Sequence, residues 1–167
     1  MKCYMIKDYL VDMTTTLCDK SYWTYLQSHA IFSEPQEGYT PVKICAYIRT
    51  TRSNKILITK YGRISYKMGI MEDDEYFLFE EMGIKFAKTF LPHLFEAKDL
   101  IGGLHIFPVG AFTFDESPYL CYNIIVPDDI TPIKEGYRFE PIWGQSVAEP
   151  ILNAMSKSFV MVKGEEK

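Results

Sequence analysis

The sequence predicts an α+β fold, a mostly antiparallel or mixed sheet with flanking helices, in a single domain over residues 1–167. Three observations lead there. Strand-like patterns gather in two groups, at 42–68 and 104–143, and helical patterns stand apart from them at 19–29, 83–95 and 146–156. That order is not the regular strand–helix alternation of a parallel α/β sheet. The length of 167 residues and 47% hydrophobic content suit one core of ordinary size. With 15% aromatic residues, 10 glycines and 9 prolines, nothing in the composition points to disorder.

Along the chain, residues 19–29 place Tyr22, Trp23 and Leu26 on one side of a short helix that Asp19 or Ser21 can cap. Pro35, Gly38 and Pro41 mark 33–41 as an exposed loop. The stretch Val42–Arg49 then alternates with period two and is the clearest strand. A short polar connection, 50–54, leads to KILITKY, and the pair reads as an antiparallel hairpin. Gly62 permits a turn, and 63–69 is a third extended piece, which would complete a three-stranded meander.

The acidic run Glu72-Asp73-Asp74-Glu75 follows, and then the apolar YFLF. Four large apolar residues favour a strand over 75–80, although Glu80 and Glu81 equally suit the wet side of a helix. Residues 83–95 carry Ile84, Ala87, Phe90 and Leu91 on one helical face with Lys85 and Lys88 opposite, and Pro92 stops or kinks that helix. A strand is expected near 104–107, a long irregular connection through Pro108, Gly110, Asp115 and Pro118, a central strand at 119–126, and a last strand at about 137–143. Ser146 and Glu149 have capping-box spacing for a final helix to about Ser156.

Charge and motifs narrow the function. Lysine and arginine total 18 against 22 acidic residues, a net charge of −4, which disfavours a nucleic acid as partner and favours a basic protein. Lys7, Asp8 and Asp12 interrupt the opening apolar residues, so no leader peptide is expected, and Pro92, Pro108 and Pro127 cut every candidate membrane span. A cytoplasmic location follows as the expectation. Cys3, Cys18, Cys45 and Cys121 form no CxxC pair and are expected as reduced thiols, Cys45 and Cys121 buried. His29, His93 and His105 have no neighbouring carboxylate, and a zinc site would need further ligands for His93 and His105. Phosphate-loop, nucleophile-elbow, HExxH and dinucleotide motifs do not occur, so no cofactor is expected.

Gly69 to Glu75, followed by Glu80-Glu81-Met-Gly83-Ile84, resembles pieces of a Nudix box, whose helix carboxylates hold magnesium against a diphosphate. Here the pieces stand about two helical turns too close together. The Arg-Glu pair that should precede Glu80 is Tyr76-Phe77. A degenerate Nudix-like nucleotide pyrophosphohydrolase or nucleotide-binding protein is therefore the alternative reading. The acidic run also lacks the spaced ligands and internal glycine of a calcium loop.

A second resemblance lies in the order of elements. Ser21 to Leu26, with its Tyr-Trp pair, precedes the strand Val42 to Ile48. Leu57-Ile-Thr59 then runs to Gly62, Ser65 and Met68, with insertions before the glycine and the serine. Gly102 to Pro108 follows a helix, with one residue between glycine and His105. Leu120-Cys121 to Pro127 and Pro141 to Glu149 close the series. Over about residues 21–156 the chain resembles the suppressor-of-fused-like domain family, especially its bacterial single-domain, immunity-protein type. The resemblance implies a non-enzymatic protein-binding module, an immunity protein that neutralises a cognate, possibly basic, toxin domain. For such a partner the candidate binding residues are Glu72, Asp73, Asp74, Glu75, Glu80 and Glu81, where concentrated negative charge would steer encounter. No catalytic or metal-binding residues are expected.

Overall fold

The computed structural model describes residues 1–53, 55–72, 78–100 and 105–141. Among them are nine strands and three α-helices: β1 (Cys3–Lys7), α1 (Lys20–His29), β2 (Ile31–Ser33), β3 (Tyr39–Pro41), β4 (Lys43–Thr50), β5 (Lys55–Ile58), β6 (Tyr66–Ile70), α2 (Phe79–Phe90), α3 (Ala97–Leu100), β7 (His105–Phe114), β8 (Ser117–Val126) and β9 (Arg138–Pro141). The predicted α+β class with a mixed sheet holds. A six-stranded sheet has the order β7-β8-β4-β5-β9, with β6 also on β4, and β2-β1-β3 form a smaller sheet. No helix among the described residues is long and apolar enough to cross a membrane.

β4 is the centre of the large sheet. It runs parallel to β8, pairing Lys43 with Tyr119 through Thr50 with Val126. A strand in this position is covered on both faces, so its alternation does not separate core from solvent. Ile44, Ala46 and Ile48 enter the larger core with Leu120, Tyr122 and Ile124, and Cys45 and Tyr47 enter a second core with Tyr119 and Cys121. Arg49 is also buried.

The hairpin expected across 50–54 is present, with Arg49 opposite Ile56. Asp128 fastens its turn, accepting from the Arg52 and Ser53 N–H groups at 3.1 and 3.0 Å and from the Ser53 hydroxyl at 2.8 Å. Partial burial pushes this carboxyl up. The Ser53 and Arg52 amides, helped by the Ser53 and Thr50 hydroxyls, outweigh it and hold the carboxyl below the ordinary aspartate range. A depressed pKa stabilises the fold above the unfolded value, and that contribution fades as pH falls through the folded one. Asp128→Ala should therefore cost about 1 kcal/mol at neutral pH, a modest figure because the carboxylate is exposed to solvent. In urea melts the difference from the unaltered protein should close on acidification; a gap of constant size would contradict this account.

The three-stranded meander does not form. β6 pairs with β4, Tyr66 opposite Tyr47 and Ile70 opposite Lys43, because the outer edge of β5 is taken by β9. Between β5 and β6 the chain makes a tight excursion with Gly62 at φ +76°, and Ser65 N–H returns to Leu57 O at 2.8 Å. β5 and β6 thus share one edge of β4. Nor is 33–41 wholly a loop, since Tyr39–Pro41 pairs with β1.

The largest departure is at 108–118. In place of an irregular connection, β7 runs on to Phe114 and β8 begins at Ser117. Asp115 and Glu116 join them with φ of 51° and 62°, the two left-handed residues of a tight hairpin turn. Pro108 is accommodated at a register shift beside Gly110.

α1 is placed by Asp19, whose carboxylate caps it by accepting from Ser21 N–H at 2.6 Å. The Asp19 backbone exchanges two 2.9 Å bonds with Ala111 on β7. A Cβ at Gly110 would stand 2.9 Å from the Asp19 carbonyl, so only glycine lets the helix start approach this closely. Trp23 then meets Phe79 and Tyr122 edge-on, with ring centroids 5.7 and 5.4 Å away.

α2 begins at Phe79, which corrects the strand expected over 75–80 for residues 79 and 80; residues 75–77 lie outside the described residues. The earlier start also corrects the helix phase. Phe79, Met82, Gly83, Phe86, Ala87 and Phe90 face the core, and Ile84, expected inside, is exposed. After Phe90 the axis breaks into a 3₁₀ turn, Leu91–His93, with Pro92 near its start. The last strand is seen as β9, and the helix expected over 146–156 lies outside the described residues.

Candidate functional site

The acidic candidates divide into two groups. Asp73, Asp74 and Glu75 lie outside the described residues. Glu72, Glu80 and Glu81 are exposed. Both described ends of this segment border β1. The Glu72 carboxylate adds to burial in raising the Cys3 thiol, and Phe79 packs edge-on against Tyr4 at 4.9 Å.

Glu80 and Glu81 occupy the first turn of α2, where negative charge complements the helix dipole. Glu81 accepts from the Leu78 N–H at 3.3 Å. Leucine has no side-chain acceptor to complete the reciprocal pair, so only the glutamate half of a capping box is made. The outward face of α2 carries Glu80, Glu81, Ile84 and Lys88, and Leu78 just before the helix is exposed as well. Exposed carboxylates of this kind can steer a basic partner by long-range attraction, and the neighbouring Leu78 and Ile84 side chains offer apolar area to cover.

A magnesium centre of the Nudix type needs several carboxylates converging on one cation. α2 supplies only Glu80 and Glu81, one of them committed to the helix start, and the rest of its titratable side chains are Lys85 and Lys88. Among the described residues no group of three or more His, Cys, Asp or Glu side chains is placed to hold a metal. The described residues therefore do not fit such a cation.

Nucleophilic chemistry has little support in the thiols. All four cysteines are free and buried, as expected for Cys45 and Cys121. Cys18 and Cys45 both bond Cys121; the Cys18 bond lowers its pKa, but the Cys45 bond and complete burial hold the thiol well above its ordinary value. A reactive cysteine requires the opposite shift. His93 and His105 are exposed, and His105 lies beside Phe107 with ring centroids 6.2 Å apart. Trp23 and Phe112 are core residues, Phe114 is partly exposed, and Trp143 lies outside the described residues.

Sequence reasoning missed a cleft of about 300 Å³ at the far end of α2. Ala46 and Ile48 of β4 form its floor, with Phe90 and Leu94 as an apolar wall. Ser65, Tyr66 and Lys67 enter from the start of β6, His93 from the 3₁₀ turn, and Lys134 and Tyr137 from the approach to β9. That approach is pinned in place. Ile133 N–H donates to Leu94 O at 2.7 Å, and Gly136, at φ +80°, packs so closely on Lys60 that a Cβ would lie 3.2 Å from the Lys60 Cα. No local motif could have signalled the cleft, because its polar groups come from three separated segments.

No protein-family model matches the chain, and no curated protein matches it. The crystal structure of Tm1382, provisionally assigned as a Nudix hydrolase, is similar in fold: TM-score 0.58 over 98% of this chain and 99% of that one, at 11% sequence identity.

Proposed function

We propose that the protein is a non-enzymatic protein-binding module that engages a basic partner through the acidic surface at the start of α2, most concretely as an immunity-type protein neutralising a toxin domain. The observation that supports this best is the outward presentation of Glu80, Glu81 and Ile84, with Glu72 also at the surface. Charge of this kind steers encounter with a basic partner, and the apolar side chains supply area to bury. The suppressor-of-fused-like order of elements points to the same class. A second reading, a Nudix-like nucleotide-handling protein in a degenerate form, draws on the likeness to Tm1382 along nearly the whole chain.

Affinity capture from the native host at low and moderate salt, followed by kinetics with the retained partner, separates the two. For the first reading, Glu72→Gln with Glu80→Gln should slow association about tenfold, and added salt should slow the unaltered protein similarly. An association rate indifferent to both charge removal and salt would sink the steering claim. Magnesium-dependent turnover of nucleoside diphosphate derivatives, abolished by Glu80→Gln and by Glu81→Gln, would put the second reading first.

A further inference from the structure

We infer that the cleft at the carboxyl end of α2 binds a small organic anion built on a flat ring, an aromatic carboxylate or an aryl phosphomonoester. The inference is independent of the protein-partner reading, because the acidic surface lies at the other end of a 12-residue helix, roughly 18 Å away.

The lining is unusual for so acidic a chain. Lys67, His93 and Lys134 contribute basic groups, and no Asp or Glu stands among the described lining residues. Lys67 and Lys134 make no ion pair with a described residue, the ion pairs there being Lys98 with Glu96 and Arg138 with Glu140. Two ammonium groups at the mouth of a partly apolar cleft attract an anion and can donate to it.

Below them the chemistry changes. Ala46, Ile48, Phe90 and Leu94 offer an apolar bed with the Tyr137 side chain beside it, while Tyr66, in register with Tyr47, borders the cleft with its backbone and turns its ring to the other face of the sheet. Such walls accept a flat ring and leave its charged substituent at the rim. Lys134 Nζ already lies 4.9 Å over the Tyr137 ring, which holds the ammonium at the edge of the cleft. The volume of about 300 Å³ is at the small end for ligand sites, suited to one ring with its acid group.

Titration followed by amide NMR tests this with salicylate, phenyl phosphate, inorganic phosphate and benzyl alcohol as the probes. Salicylate or phenyl phosphate should give saturable shifts at Ser65, Tyr66, Lys67, His93 and Tyr137, and the tighter of the two identifies the acid group. Lys67→Gln with Lys134→Gln should weaken that binding about tenfold and leave the fold intact, since both side chains are exposed. Saturable shifts with neither anion would overturn the proposal, as would unchanged affinity in the double variant. Benzyl alcohol binding as tightly would remove the anion from the assignment, and inorganic phosphate binding as tightly as phenyl phosphate would remove the ring.

Discussion

Gly83→Ala should destabilise the protein by about 2 kcal/mol, although in an open helix the same change stabilises by nearly 1. The reason is the distance from α2 to the sheet. A Cβ at Gly83 would stand 2.9 Å from Cγ of Tyr122 and closer still to Cδ2 and Cε2. Tyr122 cannot step aside. It is fully buried on the central parallel pair, meets Trp23 edge-on, and donates its hydroxyl to the Phe79 carbonyl in the first turn of the same helix. Urea unfolding of Gly83→Ala should show a lower midpoint, and the loss should shrink when Tyr122 is first cut to alanine. An unchanged or raised midpoint would mean that the helix can move off the sheet at no cost.

Trp23→Ala should be costlier, about 3–5 kcal/mol, since a large buried aromatic is lost and its space cannot fully collapse. The indole joins three elements: it belongs to α1, touches Phe79 at the start of α2 and touches Tyr122 on β8. Domains of this size commonly have only about 5–15 kcal/mol in total, so a large part of the margin would go. Thermal and urea melts measure the loss. Trp23→Phe, which keeps an aromatic edge, should recover much of it; equal losses for the two variants would show that the aromatic contacts contribute little beyond the indole's size.

Features that depend on residues close in sequence were legible beforehand. The α1 cap at Asp19, the β4–β5 hairpin and the turn at Gly62 all belong to that class. The β7–β8 hairpin was hidden because its turn, Asp115-Glu116, carries no glycine, and because Pro108 and Pro118 look like interruptions. Pro108 in fact sits beside the register shift, and Pro118 is in register opposite Thr113. The inner face of α2 was misphased for a similar reason. Starting the helix at Gly83 leaves out Phe79 and Met82, the two residues that align its apolar stripe with Phe86 and Phe90.

For the site, exposure of Glu72, Glu80 and Glu81 could be anticipated from charge alone. The basic cleft could not. Lys67, His93 and Lys134 are far apart in the chain and meet only because β6 returns to β4 and the approach to β9 is tied to Leu94.

The parallel pairing of β4 with β8 also sets the order in which the molecule can assemble. β4 leaves the ribosome long before residues 119–126 exist, and in the folded protein β8 pairs with it along its whole length from Lys43 to Thr50. The β7–β8 hairpin closes locally through a two-residue turn, but joining it to β4 must overcome the entropy of closing a long loop, which places folding toward the slower end for domains of this size. During synthesis a strand with apolar residues on both faces waits without its main neighbour, a state prone to aggregation. Nascent chains arrested before residue 117 would therefore depend on chaperones to remain dispersed.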